Sequence, residues 1–248
     1  MKKRLDVLLV ELGHFDTREK AKREIMIGNV IINDKVETKA GTQFKEENIK
    51  EIRIKNKLKY VSRGGLKLEK AIIYWELDFN NKVVLDIGAS TGGFTDCALQ
   101  NGAIKVFAND VGTNQLDYKL RTDSRVISLE QIHIKDLELN EKVDFIVIDV
   151  SFISLTKVIP YFEKFSKKNT VVIALIKPQF EVGKEKISKN GIVIEEEYHD
   201  EAIKKVISCF KENNYEIKEV IDSPILGSKG NKEFLIYTKR RPTMICQV

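Results

Sequence analysis

The stretch Val83-Val84-Leu85-Asp86-Ile87-Gly88-Ala89-Ser90-Thr91-Gly92-Gly93-Phe94-Thr95 decides how the rest of the chain is read. Its opening apolar run has the character of a buried strand, and a glycine-rich turn leads from it into a helix. The glycines let a ligand approach the backbone closely, and the first turn of the helix presents N–H groups without intrahelical partners. Outward from this stretch, Val106-Phe107-Ala108, Phe145 to Ile148, Val171 to Ile176 and Phe234 to Tyr237 repeat the apolar pattern, separated by amphipathic segments. Strands buried on both faces require helices on both faces. The pattern therefore predicts an α/β domain with a doubly wound, mostly parallel sheet, its ligands at the carboxyl ends of the strands.

A glycine-rich turn alone also fits a dinucleotide fold, where it would cradle a pyrophosphate, or a tight turn with no ligand. Two aspartates argue for a different ligand. Asp86, at the end of the first strand, would repel a pyrophosphate but suits a ligand bearing an ammonium and a sulfonium. Asp110, at the end of the second strand, is placed to accept hydrogen bonds from both hydroxyls of a ribose. Together they predict S-adenosylmethionine, held by Asp86, Gly88, Ala89, Ser90, Gly92, Gly93, Phe94, Asp110 and Val111 in a Rossmann-like methyltransferase domain.

Methyl transfer to a hydroxyl starts from a good leaving group and a poor nucleophile. The site must orient the hydroxyl, take up its proton and favour negative charge on oxygen. A lysine serves only where burial or neighbouring positive charge favours its neutral form, and carboxylates can position such amines. Asp149 ends the apolar run Phe145 to Ile148, and Lys177 ends Val171 to Ile176 just before Pro178, so both emerge at the ligand edge. Lys67 lies in a helix start, Ser62 to Ala71, and Glu233 opens the last strand. Taken singly, each could be an ordinary surface charge. The two that terminate buried runs are the least easily read so.

The N-terminal segment is of another kind. Residues 1–59 hold fifteen Lys and Arg against ten Asp and Glu, which accounts for the whole net charge of +5. Leu5, Leu8, Leu9 and Leu12 follow the helical period up to Gly13, and a second helix is expected from the capping-box spacing at Asp16-Thr17-Arg18-Glu19 to about Gly28. Val30-Ile31-Ile32 and Ile49 to Ile54 read as strands. This predicts a small α+β domain over 1–59, a linker at about 57–63 and a second domain over 60–248. The basic residues Arg4, Arg18, Lys22 and Arg23 are its candidate RNA contacts, since concentrated positive charge suits a phosphate backbone.

The runs Arg4-Leu5-Asp6, Thr17 to Ala21 and Ile27 to Asn33 resemble the alpha-L RNA-binding motif, over about residues 3–59. Lys67, Asp149, Lys177 and Glu233 are similar to the Lys-Asp-Lys-Glu set of FtsJ-like RNA ribose methyltransferases. With Val61 to Leu68, Asp86 to Thr95, Asp110-Val111-Gly112, Asp149 to Leu155, Ile176 to Lys184 and Gly230 to Phe234, nearly the whole chain resembles the TlyA (hemolysin A) family of rRNA methyltransferases. That resemblance implies methylation of a cytidine 2'-hydroxyl in ribosomal RNA, with those four residues as the catalytic set and Lys177 as the base. Ribosomal RNA or a ribosomal subunit is then the partner. The chain departs from the family pattern at Thr113-Asn114 and Gln131-Ile132, in a segment expected to border the adenine, and His133 nearby is read as structural or solvated.

Composition bounds the alternatives. With 42% apolar and 32% charged residues, the chain has no apolar run long enough to span a bilayer, so neither a membrane partner nor a membrane-lytic role is expected. No signal-peptide pattern opens it, and Cys97, Cys209 and Cys246 show no paired spacing for zinc or another metal. A reducing cytoplasm is the expected setting. The remaining alternative is a protein that binds ribosomal RNA without catalysis.

Overall fold

A computed structural model describes residues 2–55 and 59–242. Cys246 and the start of the expected linker, residues 57 and 58, lie outside the described residues. The chain divides into two compact units, 1–58 and 59–248.

In the first unit, β1 (Lys2–Arg4) runs straight into α1 (Leu5–Glu11), and α2 (Arg18–Met26) follows. Leu5, Leu9, Ala21 and Ile25, the apolar faces of the two helices, pack on Val30 and Ile32 of β2 (Val30–Ile32). The cap of α2 is Thr17, whose hydroxyl accepts from Lys20 N–H; Asp16 instead pairs with the Lys20 ammonium, so the reciprocal capping box does not form. β3 (Lys35–Glu37) and β5 (Ile52–Ile54) flank β2, and β4 (Gln43–Lys45) pairs with β1. The strand expected from Ile49 starts only at Ile52, because a 3-10 turn over Glu46–Asn48 ends on Ile49.

The second unit is the doubly wound α/β domain. Its parallel core comprises β6 (Val83–Ile87), β7 (Lys105–Asp110), β8 (Val126–Glu130), β9 (Val143–Ile148) and β10 (Ser166–Ile176). β11 (Tyr215–Asp222) and β12 (Phe234–Arg240) complete a seven-stranded sheet in the order β11-β12-β10-β9-β6-β7-β8, with β12 antiparallel to both its neighbours. Alternate residues feed two cores. Leu85, Ile146 and Ile148 face one, under α7 (Glu196–Glu212); Val84, Phe145 and Val147 face the other, under α3 (Gly64–Tyr74) and α4 (Gly93–Gln100). This two-sided burial is why the strands read as unbroken apolar runs. Neighbouring strands β6 and β9 mark the point where the connections reverse direction, and a crevice opens there at their carboxyl ends.

Candidate active site

Lys177 directly follows β10, with its backbone still extended. Pro178 disfavours helical backbone at the residue before it and then opens α6 (Pro178–Glu181), so the lysine stays extended (φ −112°, ψ 100°) at the sheet edge. Asp149 follows the neighbouring strand, its N–H donating to the Ile87 carbonyl at 3.2 Å. The Lys177 ammonium stands 2.6 Å from Asp149 Oδ1 and donates to Ser151 Oγ at 2.8 Å.

Lys67 reaches the same place from α3. A side chain at Gly93 would strike Ser62 and the Gly65 backbone, so the starts of α3 and α4 approach more closely than any other residue there would allow. One turn into α3, Lys67 Nζ lies 3.3 Å from Asp149 Oδ2 and 2.8 Å from Glu233 Oε2. The four expected residues thus form one continuous chain of ion pairs, Glu233–Lys67–Asp149–Lys177. Lys67, Lys177 and Glu233 are buried and Asp149 is partly so. Two ammonium groups and two carboxylates balance, which lets the group sit largely out of water; deleting one partner of such a set exposes another to uncompensated burial.

A cleft of about 540 Å³ adjoins this chain, lined among others by Gly88, Ser90, Asp110, Val111, His133 and Asp149. Asp149 therefore belongs both to the cleft and to the ion-pair chain. Asp110 is folded into the rim: its two oxygens accept from Ser90 N–H and Gly112 N–H, each at 2.8 Å, which leaves one lone pair on each for a ligand. Asp86 is not among the residues lining the cleft: it is fully buried, accepting from Thr95 Oγ1 at 2.6 Å, and its Oδ1 has no partner. Burial, helped by the charges of Asp149 and Asp110 and opposed by the Thr95 hydrogen bond, pushes its carboxyl up to about 7. A buried oxygen without a donor, beside two further carboxylates, fits a cationic ligand.

Of the other residues expected at the cofactor loop, Ala89, Gly92, Gly93 and Phe94 do not line the cleft. Ala89 and Phe94 belong to the core under α3 and α4, and Gly92, with φ +95°, packs where a side chain would meet Leu116 and Leu120. Their smallness and shape serve the strand-to-helix packing. His133, read as structural or solvated, borders the cleft with Nδ1 accepting from Lys135 N–H. The two departures from the family pattern face each other: Gln131 Nε2 donates to Thr113 Oγ1 at 2.6 Å. Glu130 folds the same wall by accepting from the N–H groups of Asn114, Gln115 and Leu116, with Arg121 beside it. Burial opposes its ionisation, but those donors hold its carboxyl below the usual range.

Phe152 joins the site without having been marked by the sequence as one of its residues. It is 93% exposed, has φ +64°, lines the cleft and faces the Phe180 ring at 5.4 Å between centroids. A bulky residue held in left-handed backbone with its ring in water is costly twice over, which points to use. Its one sequence signal was its place three residues after Asp149.

In the first unit, Arg4 and Arg18 both reach the fully buried Asp6, each at 3.0 Å. Burial opposes ionisation of Asp6, but the two guanidinium groups hold it below the usual carboxylate range. Arg4 and Arg18 are thus about half exposed and partly neutralised, where the sequence suggested free charges; Lys22 is half-buried and Arg23 exposed. Among the described residues, no group of three or more His, Cys, Asp or Glu is arranged to hold a metal, and no helix is long and apolar enough to cross a membrane.

Sheet order, carboxyl-edge cleft and acidic strand ends together define a methyltransferase-type α/β domain. The chain belongs to the FtsJ-like methyltransferase family, which matches residues 60–240, and carries an S4 domain over residues 3–49. It is 45% identical over 240 residues to a Bacillus subtilis (strain 168) protein provisionally named rRNA methyltransferase YqxC, covering 95% of this chain and 85% of that one. It is 33% identical to the 16S/23S rRNA (cytidine-2'-O)-methyltransferase TlyA of Mycobacterium tuberculosis (strain H37Rv), covering 95% and 89%. A solved structure from Streptococcus thermophilus, provisionally named a hemolysin, shares the fold with a TM-score of 0.74 at 44% identity, covering 97% of this chain and 89% of that one.

Proposed function

We propose that the chain transfers a methyl group from S-adenosylmethionine to the 2'-hydroxyl of a cytidine in ribosomal RNA, in the cytoplasm where that RNA is found. Residues 1–59 would hold the RNA and residues 60–248 carry out the chemistry. The observation that carries this reading is the double membership of Asp149, which walls the cofactor cleft and joins the two lysines. A hydroxyl brought to Lys177 therefore lies beside the cleft.

In this reading Asp86, Gly88, Ser90, Asp110 and Val111 hold the cofactor, which when bound supplies a methyl group on a positively charged sulfur. The Asp86 carboxylate would face its cationic end, and the free lone pairs of Asp110 its ribose. Lys177 must first give up its own proton, and as the free amine it then receives the hydroxyl proton; Asp149 and Ser151 fix the direction of that amine, and Lys67, itself held by Glu233, keeps Asp149 in place. Phe152 offers a face on which the target base stacks, as unpaired RNA bases do on exposed aromatics. The experiment is transfer of labelled methyl to purified rRNA, with the product identified as a 2'-O-methylated nucleoside. Label on a base would reject the reading.

Phe152→Ala is expected to lower kcat/KM for RNA about ten- to one-hundred-fold, because a base–aromatic stack contributes roughly 1–3 kcal/mol. Cofactor affinity should stay at the parental value; parental transfer kinetics would remove Phe152 from the substrate contact. On the first unit, Lys22→Gln with Arg23→Gln should flatten the dependence of RNA affinity on salt by about 0.7–0.9 in log–log slope for each phosphate no longer neutralised. These positions are preferred to Arg4 and Arg18, whose removal would strand the buried Asp6. An unchanged slope in a salt titration would place the RNA elsewhere.

A further inference from the structure

We propose that Glu181 is a positioning residue that holds the Asp149–Leu155 loop in the shape that displays Phe152, an inference that rests on the stacking role given to Phe152 above. Glu181 ends α6, is 4% exposed and points at the far end of that loop. Its Oε1 accepts from Leu155 N–H at 2.7 Å, and its Oε2 from Ser154 Oγ at 2.5 Å. Lys205 of α7 lies 3.9 Å from the same carboxylate and donates to the Glu181 carbonyl. Burial pushes the Glu181 carboxyl above its usual range, against those contacts. A costly buried acid is thus spent on two donors of one short loop.

The loop is consequently tied at both ends to one stretch of chain. At its start, Lys177 grips Asp149 and Ser151; at its end, four residues further along, Glu181 grips Ser154 and Leu155. Phe152 stands between the two ties, in left-handed backbone and 93% exposed. Few packing contacts hold a side chain so exposed, so a strained conformation there persists only if its flanks fix it. Phe180, the immediate neighbour of Glu181, supplies the ring that Phe152 faces. Glu181 touches neither cleft nor tetrad, and its effect on the reaction passes through the loop.

The test is a double-mutant cycle with Phe152, read as kcat and KM for RNA together with cofactor affinity. Glu181→Ala alone should lower kcat/KM by about the factor seen for Phe152→Ala, roughly ten-fold or more, with cofactor affinity within about twofold of the parent. In the Phe152→Ala background it should cost no more than about a further twofold, since the ring it positions is gone. Glu181→Gln, which can still accept from Leu155 and can donate to Ser154, should recover most of the rate. Ser154→Ala cuts the same tie from the loop side and should show the same coupling even if Glu181→Ala does not fold. Multiplying losses in the double variant, or parental rates in both Glu181→Ala and Ser154→Ala, would overturn the proposal. Parental rates in Phe152→Ala alone would instead reject the stacking role on which it rests.

Discussion

Lys177→Ala is expected to reduce methyl transfer by about two to four orders of magnitude, the range that a positioned general base contributes, while the protein still folds and binds cofactor. Folding should survive at some cost in stability: one ammonium is left for two carboxylates, but Asp149, which is only partly buried, keeps its ion pair with Lys67 at 3.3 Å. Cofactor binding should survive because Lys177 is not among the residues lining the cleft. The loss belongs to the transition state, so kcat should fall and the affinities for RNA and cofactor stay near parental. Lys177→Arg separates two roles. Arginine retains a positive charge that could pair with Asp149, but its guanidinium does not deprotonate in proteins, so it can neither take a proton nor present a single nitrogen at the same spot. Single-turnover transfer with saturating RNA and cofactor reads both variants. Substantial rate in Lys177→Arg would reassign the lysine to charge stabilisation, and near-parental rate in Lys177→Ala would remove it from the chemistry.

The second large effect is expected at Asp86, where stability and binding should move in opposite directions. Its carboxyl is raised from 3.8 to about 7 in the fold, chiefly by burial. A raised acid is disfavoured as the charged form, so its contribution to stability falls as pH rises from about 4 and is fully lost above about 7. The linkage corresponds to on the order of 4 kcal/mol. Asp86→Asn keeps an acceptor for Thr95 and removes the charge, so the ligand-free variant should melt higher than the parent at pH 8, and by less than half that margin at pH 5. The variant should also lose about two orders of magnitude or more in S-adenosylmethionine affinity, as expected when one member of a buried charge pair is neutralised. In the parent, that affinity should rise with pH to about 7 and then level off, with proton release on binding below that point. Thermal melting with and without cofactor at the two pH values checks all three. An Asn variant that is both less stable and equally tight would show that Asp86 is a structural acid.

How much of this was legible in the sequence differs from residue to residue. Lys177 and Asp149 were legible because each terminates an apolar run, and a parallel sheet brings all such ends to one edge. Lys67 and Glu233 came from other elements, and only the resemblance joined them to the set. The cofactor loop was half legible. Gly88, Ser90 and Asp110 line the cleft, Asp86 is buried outside its lining, and Gly92, Gly93 and Phe94 answer to helix packing; a glycine that admits a ligand looks the same in sequence as one that admits another helix. Arg4 and Arg18 read as free charges because their shared partner, Asp6, is two residues from one and twelve from the other, a meeting that only the folded unit creates. The edge strand β11 escaped notice since much of it faces water and no buried run marks it. Phe152 was invisible as a site residue for the opposite reason: a phenylalanine in sequence promises a core, and only its exposure says otherwise.

In the proposed reaction the geometry around Asp149 directs a methyl group onto a ribose oxygen of ribosomal RNA. The decisive measurement is mass-spectrometric mapping of rRNA from cells with the parental chain, with Lys177→Ala and without the chain. A 2'-O-methylcytidine present with the parental chain and absent from the other two is the predicted result; unchanged ribose methylation in all three, or a difference confined to methylated bases, would contradict it.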